Sequence, residues 1–421
     1  MACWACTRHR SPRDRPLHPY DPGGTSTPEP PSKQAGTLGP SYLKWRRPSR
    51  RERRISDVLH IIEPTLRDQT GHCYSFVRSL LDADAEGATT FHVYGHRDSA
   101  SLLQDRPRCT VHPIFTRKGR RWQLWRLLRR LIPGRDRVLL GTARNTDLLI
   151  ACLSAQTRIV EPGRVFSYVH WYRPSPVGMR LLRYVARRHP GIEIVCPTDS
   201  VSTVFGGAGF ENVHIRRYPR TAQWIVAEAI ADAPATILFA GAARVDKGFH
   251  VAVDLVELLH HEQSSLPVTI QCSTTHWGEL QASVRTQIER LRTIDYPHLT
   301  LVEDTLDQDA YQSMTAGTLT IQPYDAAEFT DRISGVTLDA LMGGSPLIVP
   351  AHTWMARQVE RFDAGVIVED GQSCDQILAA VDAVLADWHR YAANAAAGGW
   401  QLSAEHDARK LLELLLNGND N

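Results

Sequence analysis

From Ile55 onward, short apolar runs rich in β-branched residues alternate with segments of helical length, in two successive series. Each helical crossover lays a helix against the sheet, so such a chain buries its strands on both faces and forms parallel α/β sheets. The first series predicts strands at Ile55–Ile62, Phe91–Tyr94, Arg137–Leu140, Phe166–His170, Ile192–Cys196 and Val213–Arg216. The second predicts them at Ala235–Ala240, Val268–Cys272, Leu299–Val302, Leu319–Gln322, Leu347–Val349 and Val366–Val368. Tyr218-Pro219 opens a linker between the series, with a helical stretch expected over Ala222–Ala231.

The 421 residues are enough for two domains with separate cores. A hydrophobic content of 43% and a charged content of 22% match an ordinary globular protein. No apolar run approaches the length of a membrane span. Residues 1–54 carry 12 Lys and Arg against 4 Asp and Glu, an excess of eight that leaves the rest of the chain at −6 within a total of +2. That leader is rich in Pro, Ser and Gly and is expected to be a disordered basic tail without the apolar core of a secretory signal. Eight scattered cysteines predict reduced thiols and a cytoplasmic setting. Cys3 and Cys6 have the spacing of a metal pair but lack a second pair, so no metal is expected, and Cys73, Cys109, Cys152, Cys196, Cys272 and Cys374 read as small core residues.

Residues 324–350 hold the most specific chemistry. Pro323–Ile333 reads as a loop and Ser334–Met342 as a helix ended by Gly343-Gly344. Ser334 is placed to cap that helix, leaving the amides of Gly335 and Val336 to meet an anion. Asp331 would stand beside that anion, with Asp339 two turns further along the same face, one towards a sugar and the other towards a ribose. Arg332 has two readings, a phosphate ligand or the partner of a nearby acid. Upstream, the strand Ala235–Ala240 runs into Ala242-Ala243-Arg244-Val245-Asp246-Lys247-Gly248 and then a helix to about Leu259. In the first series, Glu63–His72 is a polar loop whose Gly71 precedes a helix to about Leu81, and His170 emerges at the end of its strand. His72 suits a phosphate or a hydroxyl and His170 a hydroxyl, and a plain structural role is the alternative for both. Asp199-Ser200 reads as a helix cap.

The 324–350 stretch resembles the donor-binding signature of the GT-B glycosyltransferases, particularly the retaining family 4 group, with Asp331 and Asp339 where relatives carry two glutamates. Lys247-Gly248 is similar to the family's basic turn, and Arg244 is the substitute for an arginine whose usual position is Ala242 here. The resemblance implies two facing Rossmann-like domains: a leader over 1–54, an acceptor domain over 55–220, a donor domain over 221–400, and a C-terminal helix over 401–421 that returns to the first domain. It also implies a nucleotide diphosphate sugar as donor substrate, no required cofactor or metal, and transfer of a hexosyl unit with retention to a hydroxyl of a glycan or lipid-linked acceptor, as in polysaccharide biosynthesis. Arg244, Lys247 and the Gly335–Val336 amides would hold the diphosphate. Asp331 would contact the sugar and Asp339 the ribose.

Arg120–Ile132 interleaves arginines with Trp122, Trp125, Leu128 and Ile132 at helical spacing, which predicts a peripheral contact with the inner face of a membrane or, alternatively, ordinary packing on the sheet. Other functions stay open at this point. They are a non-catalytic GT-B-like nucleotide-sugar-binding or assembly subunit, an epimerase or a phosphorylase of the same fold, and a nucleic-acid module, which only the basic leader supports and which is not expected.

Overall fold

The computed structural model describes residues 57–69, 71–155, 159–220, 231–274 and 280–418. The leader and the expected helix at Ala222–Ala231, apart from Ala231, lie outside these residues, as do Cys3 and Cys6. Residues 54–421 form one compact unit built on two sheets.

The first sheet has seven strands: β1 (Val58–Ile62), β2 (Thr90–His96), β3 (Cys109–Phe115), β4 (Arg137–Leu140), β5 (Val165–Tyr168), β6 (Ile192–Cys196) and β7 (Val213–Ile215). They pair in the order β3-β2-β1-β4-β5-β6-β7, every pair parallel. The second sheet has six: β8 (Ile237–Phe239), β9 (Val268–Gln271), β10 (Leu299–Val302), β11 (Leu319–Ile321), β12 (Leu347–Pro350) and β13 (Gly365–Val368). Their order is β10-β9-β8-β11-β12-β13, again parallel throughout. In both sheets the order in which successive strands are added reverses at the centre, at β1/β4 and β8/β11. That is where loops beyond the strand ends part to leave a crevice.

One strand escaped the sequence reading. β3 contains Pro113 and alternates polar with apolar residues, signals that argue against a central strand. It is an edge strand, and the outer side of an edge needs no ladder donor, so the proline is tolerated there. The expected membrane-facing stripe is also corrected. In the Arg120–Leu131 helix, Leu124, Leu127 and Leu128 turn inward and Ile132 follows them into the core, whereas Trp122 is 58% exposed. The outer face is therefore arginine with Trp122, and the leucines are core. Thr198, not Asp199, caps its helix, accepting from the Val201 amide, and Asp199 is the first helical residue. Cys152, Cys196 and Cys272 are buried as expected, whereas Cys73, Cys109 and Cys374 are only half-buried.

The C-terminal helical stretch is two helices, Trp388–Glu405 and Ala408–Asn417, broken at His406-Asp407. Asp407 caps the second by accepting from the Arg409 amide at 2.9 Å. The first lies against the Gly335–Met342 helix of the second domain. The second buries Leu411, Leu412, Leu414 and Leu415 among the residues of β1, β4 and the Gly71–Asp82 helix of the first. Among the described residues no helix is long and apolar enough to cross a membrane.

Candidate functional site

The turn after β8 sets one wall of the cleft. Gly248 has φ +65°, and a Cβ there would lie 1.9 Å from the Pro323 carbonyl oxygen, so only glycine lets this turn press against the loop after β11. The Asp325 amide donates to the Asp246 carbonyl at 3.0 Å and ties the same two loops. Lys247 then folds back over Gly241, with Nζ 2.6 Å from where a Cβ of Gly241 would be, while Val336 Cγ2 is 3.1 Å from that point. Two motifs 89 residues apart thus meet at one place, with the Lys247 ammonium beside the start of the Gly335–Met342 helix. Ser334 caps that helix as expected, accepting from the Thr337 amide at 3.3 Å, and Gly335 is exposed.

Lys247 Nζ sits 5.3 Å from the centre of the Tyr324 ring, and no carboxylate among the described residues forms an ion pair with it. Nearby, the buried Tyr324 hydroxyl and the Nε2 of buried Gln322 find no hydrogen-bond partner among the described residues. Buried polar groups are nearly always paired, so these two are exceptions beside Lys247.

Arg244 and Arg332 share one carboxylate. Arg244 Nε donates to Asp246 Oδ1 at 2.8 Å and its Nη2 to Oδ2, while Arg332 Nη1 reaches Asp246 Oδ2 at 3.2 Å. Arg332 also lies 4.8 Å from the Phe329 ring centre and 6.0 Å from that of Trp171, which belongs to the first domain. Arg173 and Glu328 add a second contact across the cleft at 3.4 Å.

From the first domain, Gly71 opens its helix and His72 follows. Desolvation by the surrounding walls pushes the His72 imidazole below its ordinary value, Glu63 opposes this, and Arg332, Arg244 and Lys247 push the same way as burial. The ring therefore feels all three cations of the other domain. His170 stands 5.7 Å from His72, ring centre to ring centre, and its Nε2 donates to the Gly141 carbonyl at 2.8 Å, which leaves Nδ1 as an acceptor. Burial drives its pKa down to about 3, so it is neutral at physiological pH.

Three residues of this half gave no signal that sequence reasoning used. Glu63 is fully buried at the end of β1, holding the hydroxyls of Thr65, at 2.5 Å, and Thr142. Thr65 in turn contacts Cys73 Sγ at 3.1 Å, which fixes the start of the helix carrying His72. A carboxylate directly after an apolar strand was the available clue. Tyr218, in the linker, donates its hydroxyl to the His72 carbonyl at 2.6 Å, and His406 Nδ1 donates to the Tyr218 carbonyl at 2.8 Å.

The two signature acids sit differently from the expectation of a shared open face. Asp331 is half-exposed and accepts from Arg357 Nη2 at 2.8 Å. Asp339 is buried and paired with Arg220 of the linker, which also donates to the Gly335 carbonyl at 3.0 Å. Burial raises the Asp339 pKa, with Arg220 and the Tyr311 hydroxyl opposing it. Among the described residues no group of three or more His, Cys, Asp or Glu is arranged to hold a metal ion.

His170 and His406 make stability depend on pH. Burial lowers the His406 pKa to about 4, so both histidines bind a proton more readily unfolded than folded. Their contribution is complete above the unfolded value of about 6.5 and falls as pH drops towards the folded values, by up to about 1.4 kcal/mol per unit per group. Thermal unfolding between pH 7 and pH 5 should show a steady loss, and His406→Gln should flatten it. An unchanged melting temperature over that range would contradict the burial of these rings.

No family model matches the sequence, and no curated protein does. Solved structures do. Sucrose-phosphate synthase from Thermosynechococcus elongatus superposes with a TM-score of 0.63 at 12% identity, over 84% of this chain and 96% of that one. HepE from Anabaena, in complex with UDP-glucose, gives 0.61 at 13% over 85% and 98%. WaaG, a glycosyltransferase involved in lipopolysaccharide biosynthesis, gives 0.58 at 14% over 86% and 100%. At these identities the likeness is one of architecture, and the architecture is the GT-B fold.

Proposed function

We propose that this chain is a glycosyltransferase that moves a hexosyl unit from a nucleotide diphosphate sugar to a hydroxyl of a glycan or lipid-linked acceptor. The observation that carries the reading is the Lys247 ammonium, which no carboxylate among the described residues pairs, beside the Gly335–Met342 helix start, with Arg244 and Arg332 close by and His72 within their field. A helix N-terminus plus fixed cations suits a diphosphate, and it stabilises the charge that grows as the bond from the anomeric carbon to phosphate breaks. The structural neighbour HepE, solved with UDP-glucose, supports the same ligand class.

In this reading the acceptor oxygen bonds to the anomeric carbon as the phosphate oxygen departs, and the acceptor's proton passes to the departing phosphate. His170, neutral and with Nδ1 as acceptor, orients a hydroxyl; a ring whose pKa is about 3 is a poor base. Retention belongs to the proposal through the resemblance to family 4, as do the roles of Asp331 at the sugar and Asp339 near the nucleoside. Asp331 must exchange Arg357 for the sugar to play its part. The test is a screen of uridine, guanosine, adenosine and thymidine diphosphate sugars, read as nucleotide diphosphate release and thermal shift beside Lys247→Ala. Activity with one donor class, lost in the variant, supports the reading. Donor binding without release supports the non-catalytic subunit instead, and silence from every donor in a folded sample counts against both.

Peripheral attachment to an anionic lipid surface is a second part of the proposal, carried by the outward arginines Arg121, Arg126, Arg129 and Arg130 around exposed Trp122. Arg183, Arg187 and Arg188 with the 48% exposed Tyr184 extend this basic character on the Pro176–Arg188 helix. Each basic residue near such a surface contributes about 1 kcal/mol. Co-sedimentation with phosphatidylglycerol vesicles is expected to fall about fivefold or more on Arg126→Ala with Arg129→Ala, and again on Trp122→Ala. Equal binding by all variants would remove the idea.

A further inference from the structure

Two cations of the cleft, Arg244 and Arg332, hold the Asp246 side chain at once. Its carboxylate takes both donors of the Arg244 fork, Nε at 2.8 Å to Oδ1 and Nη2 to Oδ2, and a third from Arg332 at 3.2 Å. A planar guanidinium binds two oxygens of a carboxylate in the same way that it binds two oxygens of a phosphate. About a fifth of the Asp246 side chain is exposed, and the Asp325 amide donates to its backbone carbonyl, so the residue is held beside the cations. Lys247, the next residue, has no such partner among the described residues.

We propose that Asp246 is a built-in competitor for the diphosphate: its carboxylate occupies Arg244 until a phosphate group displaces it, and it thereby sets how tightly the donor and the released nucleotide diphosphate are held. The inference rests on the diphosphate reading of the site given above. Asp246 touches neither the sugar nor the reacting atoms and acts through Arg244 and Arg332, so it is a positioning residue. Its effect belongs to affinity: a site with three bare cations would hold donor and spent nucleotide more firmly, whereas a resident carboxylate weakens both by the same competition and returns to Arg244 as the product leaves.

Inorganic pyrophosphate is the probe, because it carries the shared chemistry without choosing a base. Its binding is measured calorimetrically on the full chain for the wild type, Asp246→Asn, Asp246→Glu and Lys247→Ala. Asp246→Asn is expected to bind about three- to tenfold more tightly, the scale of one freed, partly exposed charge pair, and with a steeper dependence on salt. Asp246→Glu, which keeps the charge, should stay near the wild type. A merely structural aspartate would give the opposite result on removal, since a disordered site binds more weakly. Equal or weaker binding by Asp246→Asn, with Lys247→Ala still losing affinity, overturns the inference and leaves the diphosphate site standing. Pyrophosphate binding that is absent from both the wild type and Asp246→Asn overturns the diphosphate reading itself, and the competitor with it. Binding by Asp246→Asn alone is the strongest support.

Discussion

Lys247→Ala is expected to lower donor turnover by about ten- to a hundredfold while leaving the fold intact. A hydrogen bond to a charged group contributes roughly 1.5–3 kcal/mol, which converts to that range. The loss should fall on the donor side because the ammonium is held over Gly241 and beside Val336, where the helix amides begin, and not in an ion pair that would be broken. For the same reason the melting temperature should barely move, since surface-type substitutions that remove no partner stay within about 0.5 kcal/mol. Lys247→Arg should rescue only partly, because the wider guanidinium must fit the space that Gly241 leaves open. Donor turnover that survives Lys247→Ala would take the diphosphate away from this turn.

Arg220→Ala should be the most destabilising single change, by about 3–5 kcal/mol, the usual result when one partner of a buried ion pair is deleted. Asp339 is only 5% exposed, and Arg220 is its cation. The same guanidinium holds the Gly335 carbonyl, so donor affinity should weaken as well. Denaturant unfolding of Arg220→Ala, Asp339→Leu and the Arg220→Met, Asp339→Leu double variant separates the terms. The double variant should recover much of the loss, because well-packed apolar residues can replace a buried pair at little cost. A single-variant loss under about 1 kcal/mol would show that this buried pair does not hold the linker to the Gly335–Met342 helix.

The two sheets were legible because strands buried on both faces are near-continuous apolar runs: β6, Ile192–Cys196, is buried at every position and was read with its ends correct. β3 was not, since an edge strand with Pro113 carries the composition of a loop. In the site, the motifs that depend on neighbours in sequence could be read. Ser334 caps the Gly335–Met342 helix because serine, one turn back, reaches the Thr337 amide. Partnerships across long separations could not. Arg220 and Asp339 are 119 residues apart, Arg332 and Asp246 are 86 apart, and His72 meets Tyr218 over 146. No local periodicity records such pairs, so the anchoring of Asp339 to Arg220 of the linker was not legible. The second reading of Arg332, the partner of a nearby acid, is the one the geometry displays.

The chain passes between the two sheet domains at Tyr218–Arg220 and again at His406–Ala408, and the passages are stitched together. The Arg220 amide donates to the His406 carbonyl at 2.8 Å, the Ala408 amide to the Arg220 carbonyl at 3.3 Å, and His406 to Tyr218 at 2.8 Å. A body tied to another by one strand of chain can twist, tilt and slide. Tied along a doubled seam, it resists twist and slide more than a single tether would allow. Tyr218 and Arg220, which touch His72 in one domain and the Gly335 carbonyl in the other, sit on that seam.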